Sequence, residues 1–254
     1  MDVSIFILLA LFLLSFFSGI IDLSLGMGYG FTVTPIMLLL GFYADEAVPI
    51  VLFTSAIGGL ASSFFNRHYK NVDFSLRSRA TKIALFMGIS GVIGAMLGVR
   101  VSFNLSQLVL NLYIGFIVIL SGILALISYR LSTTFSWIKI LFITLFGSLN
   151  KGLTGSGLGP IITTGTMLTG IDEKSAVSIQ SLSEALISFM AFLYYISIEK
   201  VIDYPVLTIM SLGAVLASPF AALIIRRLDR KTMRLSIGVL AVVIGLGTIW
   251  KSLS

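Results

Sequence analysis

Apolar positions along this chain fall in long unbroken stretches, without the polar stripe that marks a helix on a water-soluble surface. Residues 3–21, 23–44, 47–66, 83–99, 105–129 and 204–225 contain no Asp, Glu, Lys or Arg. Residues 175–198 contain one, Glu184, and residues 235–250 form a shorter closing stretch. A helix needs roughly 20 mostly apolar residues to cross the hydrocarbon core of a bilayer, so these stretches predict transmembrane helices. The start, Met1-Asp2-Val3, lacks the positive charge of a signal peptide, and no small-residue cleavage site follows, so the first stretch is expected to be retained.

A second pattern lies over the first. The segment from Gly26 matches the segment from Gly155 without gaps at an offset of 129 positions. Gly26, Gly28 and Gly30 fall on Gly155, Gly157 and Gly159; Thr34 falls on Thr163, Gly41 on Gly170, Ala47-Val48 on Ala176-Val177 and Ala56 on Ala185. The chain therefore reads as two copies of one unit, residues 1–131 and 132–254.

Lys and Arg cluster in residues 66–82 and 226–234, which are expected on the cytoplasmic side. The first cluster follows the third segment of its half and the second follows the fourth, so the halves are expected to point in opposite directions. On this count both termini lie outside, with Asp45 and Glu46, while Lys174 lies inside. Inverted repeats of this kind form substrate sites near the membrane midplane, commonly from discontinuous helices.

The glycine runs supply such breaks. Residues 140–153 and 160–171 would each be only about 18–21 Å long as helix, too short for a core of roughly 30 Å. With Thr154 to Gly159 between them they predict a hairpin broken near the midplane, and Ser24 to Gly30 predicts its counterpart in the first half. Glycine lets a ligand approach the main chain, and a broken helix exposes N–H groups that favour anions. Hydroxyls gather at the same places: Ser24, Thr32 and Thr34 in one half, Thr154, Ser156, Thr163, Thr164 and Thr166 in the other. A single GxGxG would more simply serve close helix packing, as Gly94 and Gly98 are expected to do. Its duplication at one register beside the shortest segments favours a site.

Three ionisable residues fall inside apolar stretches: Asp22, Lys151 and Glu184. Each costs at least roughly 2.5–3.5 kcal/mol at bilayer depth and so needs a reason to be there. Asp22 and Lys151 stand at equivalent repeat positions, where they could pair. They could also divide roles, Lys151 attracting an anion and Asp22 carrying a coupling proton. Glu184, a turn from Gln180, is a second coupling candidate. The expected anion-binding set is Gly26, Gly28, Gly30, Thr32, Thr34, Lys151, Thr154, Gly155, Ser156, Gly157, Gly159 and Gln180.

Composition narrows the class. Of 254 residues, 57% are hydrophobic and 11% charged, against about 25% charged in a soluble domain. The net charge of +6 suits cytoplasmic loops and anionic lipid better than nucleic acid. With no cysteine and one histidine, His68, in a basic loop, neither a metal site nor a catalytic Ser–His or Cys–His arrangement is expected. No cofactor is expected either.

The paired runs Gly26-Met27-Gly28-Tyr29-Gly30 and Gly155-Ser156-Gly157-Leu158-Gly159 are each followed by a hydroxyl- or proline-bearing helix, then by a glycine before an acidic turn. This arrangement resembles the TauE/SafE family of membrane permeases over most of both halves. The chain departs from many members in having Tyr29 inside the first run, and Pro35 lies five positions after it whereas Pro160 follows the second run at once. The resemblance implies export of sulfite or small organosulfur anions such as sulfoacetate.

The expectation is an all-α protein of the inner membrane, two inverted-topology repeats with glycine-broken hairpins and about 8–10 membrane segments. It would act as a secondary transporter of small anions by alternating access, with membrane lipid as its surroundings and assembly into a homo-oligomer left open. An anion channel and a membrane scaffold subunit are the rival readings.

Overall fold

The computed structural model describes residues 5–127, 136–156, 159, 162–163, 166, 171, 173–198, 202–225 and 230–253. Among them there is no strand. The helices are α1 (Ile5–Leu25), α2 (Tyr29–Leu39), α3 (Ala44–His68), α4 (Arg79–Ser102), α5 (Gln107–Ile127), α6 (Trp137–Thr154), α7 (Glu173–Ile198), α8 (Tyr204–Ile224) and α9 (Arg230–Leu253). Five of them, α1, α3, α4, α7 and α8, are long and apolar enough to cross a membrane.

Local chemistry sets the helix ends. Ser78 accepts the Thr81 N–H at the start of α4, and Asp203 accepts the Val206 N–H at the start of α8. At α3 the Glu46 carboxylate accepts the Tyr43 N–H at 2.9 Å. Between α3 and α4 the charged side chains of Arg67, Lys70, Arg77, Arg79 and Lys82 are all exposed at one end of the bundle. Cationic side chains of residues 226–234 lie outside the described residues.

Phe6, Phe17, Ile89, Phe142 and Phe220 point out of the bundle. In water such a surface would be untenable, whereas lipid tails accept it. Inside, large apolar side chains such as Leu11, Phe31, Ile50 and Met210 are buried between helices, and the closest approaches of helix backbones are made at small residues. A Cβ added to Gly94 or Gly98 of α4 would overlap the α6 backbone around Leu145 and Leu149, and one added to Gly152 of α6 would overlap the Ala95 carbonyl. The expected packing role of Gly94 and Gly98 is therefore observed.

Packing partners come in exchangeable pairs. Helix α1 lies against α8 and α6 against α4; α3 meets α8 and α7 meets α4; α3 meets α7 and α5 meets α9. Replacing each helix by its counterpart, whose first residue lies 123–132 positions along the chain, α1 by α6, α3 by α7, α4 by α8 and α5 by α9, turns this set of contacts into itself.

Two helix lengths differ from expectation. The segment 23–44 is not one span: α1 continues to Leu25, the chain breaks, and α2 is an 11-residue helix. Helix α1, at 21 residues, has the full spanning length expected of the stretch 3–21. Helix α6 begins at Trp137, three residues before the expected start, where the Ser136 hydroxyl caps it, and its 18 residues measure about 27 Å.

The short helix α2 is held at both ends by side chains, a carboxyl acceptor at its start and an amine donor at its end. Asp22 Oδ1 accepts the Gly28 N–H at 2.6 Å at its start, and Lys251 Nζ donates to the carbonyls of Leu38 and Leu39, each at 3.0 Å, at its end. This is the polarity a helix dipole favours. In between, the Tyr29 hydroxyl donates to Ser15 Oγ at 2.7 Å, and Ser15 donates on to the Met210 carbonyl, tying α2 through α1 to α8.

Candidate functional site

The two glycine runs meet inside the bundle. Helix α1 stops where Gly26 takes φ +66°, and α6 stops where Gly155 takes φ +71°. These are equivalent positions of the repeat, and both need the left-handed backbone that side chains disfavour. Their surroundings are exchanged in the same way. A Cβ on Gly26 would run into Thr163 Oγ1, and one on Gly155 would stand 3.1 Å from Thr34 Oγ1; Thr34 and Thr163 are themselves equivalent. Gly30 presses on the Gly155 carbonyl, and Gly159 presses on the backbone of Met27 and Gly28. No larger residue would fit at either contact.

Polar groups then fill the crossing unequally. The Gly26 carbonyl accepts from Thr163 Oγ1 at 2.7 Å and from Gln180 Nε2 at 3.2 Å, and Thr163 also contacts Gln180 Oε1. The position equivalent to Gln180 is Val51, whose side chain lies against Gly30 and Gly155. Thr34 Oγ1 and Ser156 Oγ, both buried, have no hydrogen-bond partner among the described residues, while Thr154 Oγ1 lies within hydrogen-bond distance of the Asn150 and Ser156 carbonyls and accepts the Ser156 N–H.

The charged residues converge here. Lys151 Nζ lies 2.6 Å from Glu184 Oε1 and 2.9 Å from Ser55 Oγ, with the lysine side chain only 3% exposed. Its ion pair is therefore with Glu184 and not with Asp22, which is committed to the Gly28 N–H. In the first half the carboxyl group at the α2 N-terminus is the protein's own Asp22; the second half has Lys151 at the equivalent repeat position.

A small cavity opens beside Lys151. Gly147, Ser148 and Lys151 of α6, Gln180, Ser183, Glu184 and Ile187 of α7, Met87 of α4, and Gly28, Gly159 and Ile162 line it. It leaves about 20 Å³ for the centre of a water-sized sphere, where one water needs roughly 10–15 Å³.

A family model described as sulfite exporter TauE/SafE matches residues 11–248. The chain belongs to the TauE/SafE family. It is therefore a membrane protein of a transporter family. No curated protein and no solved structure gives a significant match.

Of the residues expected to bind an anion in this TauE/SafE member, Gly28, Lys151, Gly159 and Gln180 line the cavity, as does the coupling candidate Glu184. Gly26, Gly30, Thr34, Thr154, Gly155 and Ser156 are buried at the crossing but do not line it, nor does Asp22, and Thr32 is half-buried on α2. Gly157, Pro160 and Thr164 lie outside the described residues. Ser55 and Ser148 were not expected. Ser55 was nonetheless legible, because it is the repeat equivalent of Glu184.

Proposed function

We propose that this TauE/SafE member exports sulfite or a sulfoacetate-like organosulfur anion across the cell inner membrane as a secondary transporter, with Lys151 as the group that receives the anion. The observation that carries this reading is a lysine buried among apolar helices with its ammonium at the edge of a cavity. A cation in such a place is costly unless something anionic answers it, and a mobile anion can take the position Glu184 occupies. Gly28, Gly159, Ser148, Ser183 and Gln180 surround the same space and offer backbone and side-chain groups to oxyanion oxygens.

Alternating access of inverted repeats, residues 1–131 against 132–254, is the motion that suits this arrangement. The reciprocal contacts Gly26–Thr163 and Gly155–Thr34 support a two-fold relation between the halves. The cavity's room for little more than a water argues against a standing anion pore, because even sulfite needs the surrounding helices to move apart. The exposed cations of residues 66–82 support a cytoplasmic position for that loop.

Thermal-shift measurement on the detergent-purified protein with sulfite, sulfoacetate, sulfate, phosphate, short carboxylates and amine cations tests the reading, since a ligand of the native state raises apparent stability. Sulfur oxyanions are expected to raise the melting temperature selectively, and Lys151→Ala is expected to abolish that rise. Stabilisation by a cation alone, or an undiminished shift in Lys151→Ala, would overturn the assignment.

A further inference from the structure

Resting on that anion site, we infer that Glu184 rather than Asp22 couples transport to protons, because Glu184 and the anion compete for the Lys151 ammonium. The geometry distinguishes the two carboxylates. Asp22 Oδ1 is fixed by the Gly28 N–H at 2.6 Å and completes the start of α2, so releasing it would uncap a buried helix end. Glu184 has the Lys151 ammonium as its ion partner at 2.6 Å, lines the cavity, and keeps 14% of its side chain exposed. It alone of the pair can turn away without dismantling a helix.

An anion that takes the ammonium leaves the Glu184 carboxylate buried with no cation. Among the described residues nothing nearby replaces the lost charge. Helix α7 meets α3, α4, α1 and α6. From α6 the charged group is Lys151, with Lys139 three turns away, and from α1 it is Asp22, itself an acid. The charged residues of α3, Asp45, Glu46, Arg67 and His68, lie toward its ends, and α4 carries none between Lys82 and Arg100. Helix α3 presents Ser55 and α4 presents Met87. An unpaired carboxylate in such surroundings takes up a proton instead.

The step balances simply. One proton from solution adds to the Glu184 carboxylate to give the neutral acid, and Lys151 stays an ammonium throughout. Its hydrogen bond passes from Glu184 Oε1 to an oxygen of the anion. When the anion leaves, the proton leaves with it and the ion pair closes again. Proton and anion therefore move in the same direction.

The experiment counts protons taken up on binding. Sulfite itself titrates near neutral pH, so sulfoacetate, fully ionised there, is the probe. Binding heats in buffers of different ionisation enthalpy give the proton number for the full-length protein in detergent. The wild-type protein is expected to take up close to one proton per sulfoacetate, with affinity falling as pH rises, and Glu184→Gln is expected to bind with no proton uptake and a flat pH profile. Binding by the wild type without proton uptake would overturn the inference while leaving the anion site standing. Proton uptake that persists in Glu184→Gln would overturn the assignment to Glu184. Failure of the wild type to bind sulfite, sulfoacetate or sulfate would remove the anion site and this inference with it.

Discussion

Ser55 and Glu184 grip the same ammonium from different halves of the chain, Ser55 Oγ at 2.9 Å and Glu184 Oε1 at 2.6 Å from Lys151 Nζ. They occupy equivalent repeat positions, yet one is a neutral hydroxyl and the other an acid. The two halves share a backbone plan, and their chemistry diverges where the charge is.

The ion pair should betray itself in a double-mutant cycle. Lys151→Met leaves a buried carboxylate without its cation and is expected to cost about 2–4 kcal/mol, at the low side for a broken buried pair because Glu184 retains 14% exposure. Adding Glu184→Leu removes the stranded charge and should restore at least half of the loss. Denaturant or thermal unfolding in detergent measures it, and strict additivity of the two changes would mean the pair does not couple.

The helix breaks should respond unequally to alanine. Both Gly26 and Gly155 hold positive φ, which costs an alanine roughly 1–2 kcal/mol. At Gly26 the new methyl also overlaps Thr163, whereas at Gly155 the nearest atom is 3.1 Å away. Gly26→Ala is therefore expected to lower the melting temperature more than Gly155→Ala, and the order is the quantity to check.

The two equivalent threonines should separate as well. Thr163→Val takes a hydrogen bond from the Gly26 carbonyl, leaving it Gln180 alone, and is expected to cost about 1–3 kcal/mol. Thr34 Oγ1 is buried with no partner among the described residues, so Thr34→Val should leave thermal stability unchanged or improve it. A large loss at Thr34 would mean that its hydroxyl has a partner in solution.

Much of this arrangement was legible because a duplicated fold repeats its backbone requirements. Gly26 and Gly155 could be matched by eye, since left-handed φ at a helix break admits little else, and the buried charges stood out against apolar sequence. What was not legible was which charges meet. Asp22 and Lys151 share a repeat position, but equivalence relates environments and does not bring the two residues together. Lys151 reaches from α6 to Glu184 on α7, while Asp22 accepts the Gly28 N–H in its own half. The break inside residues 23–44 was legible at the glycines, and α1 keeps its hydrogen bonds to Leu25, past the apolar stretch that ends at residue 21. Ser55 was overlooked because serine in an apolar stretch looks ordinary until its counterpart is seen to be an acid.

Asp22 at the start of α2 has a further consequence for how many molecules the protein can carry. A carboxylate tethered to the chain is a ligand that never dissociates, so the first half arrives with its seat already taken. On the proposed reading, a duplicated architecture that could have offered two vacancies offers one, and cargo stoichiometry per chain is set where the halves differ at Asp22 and Lys151.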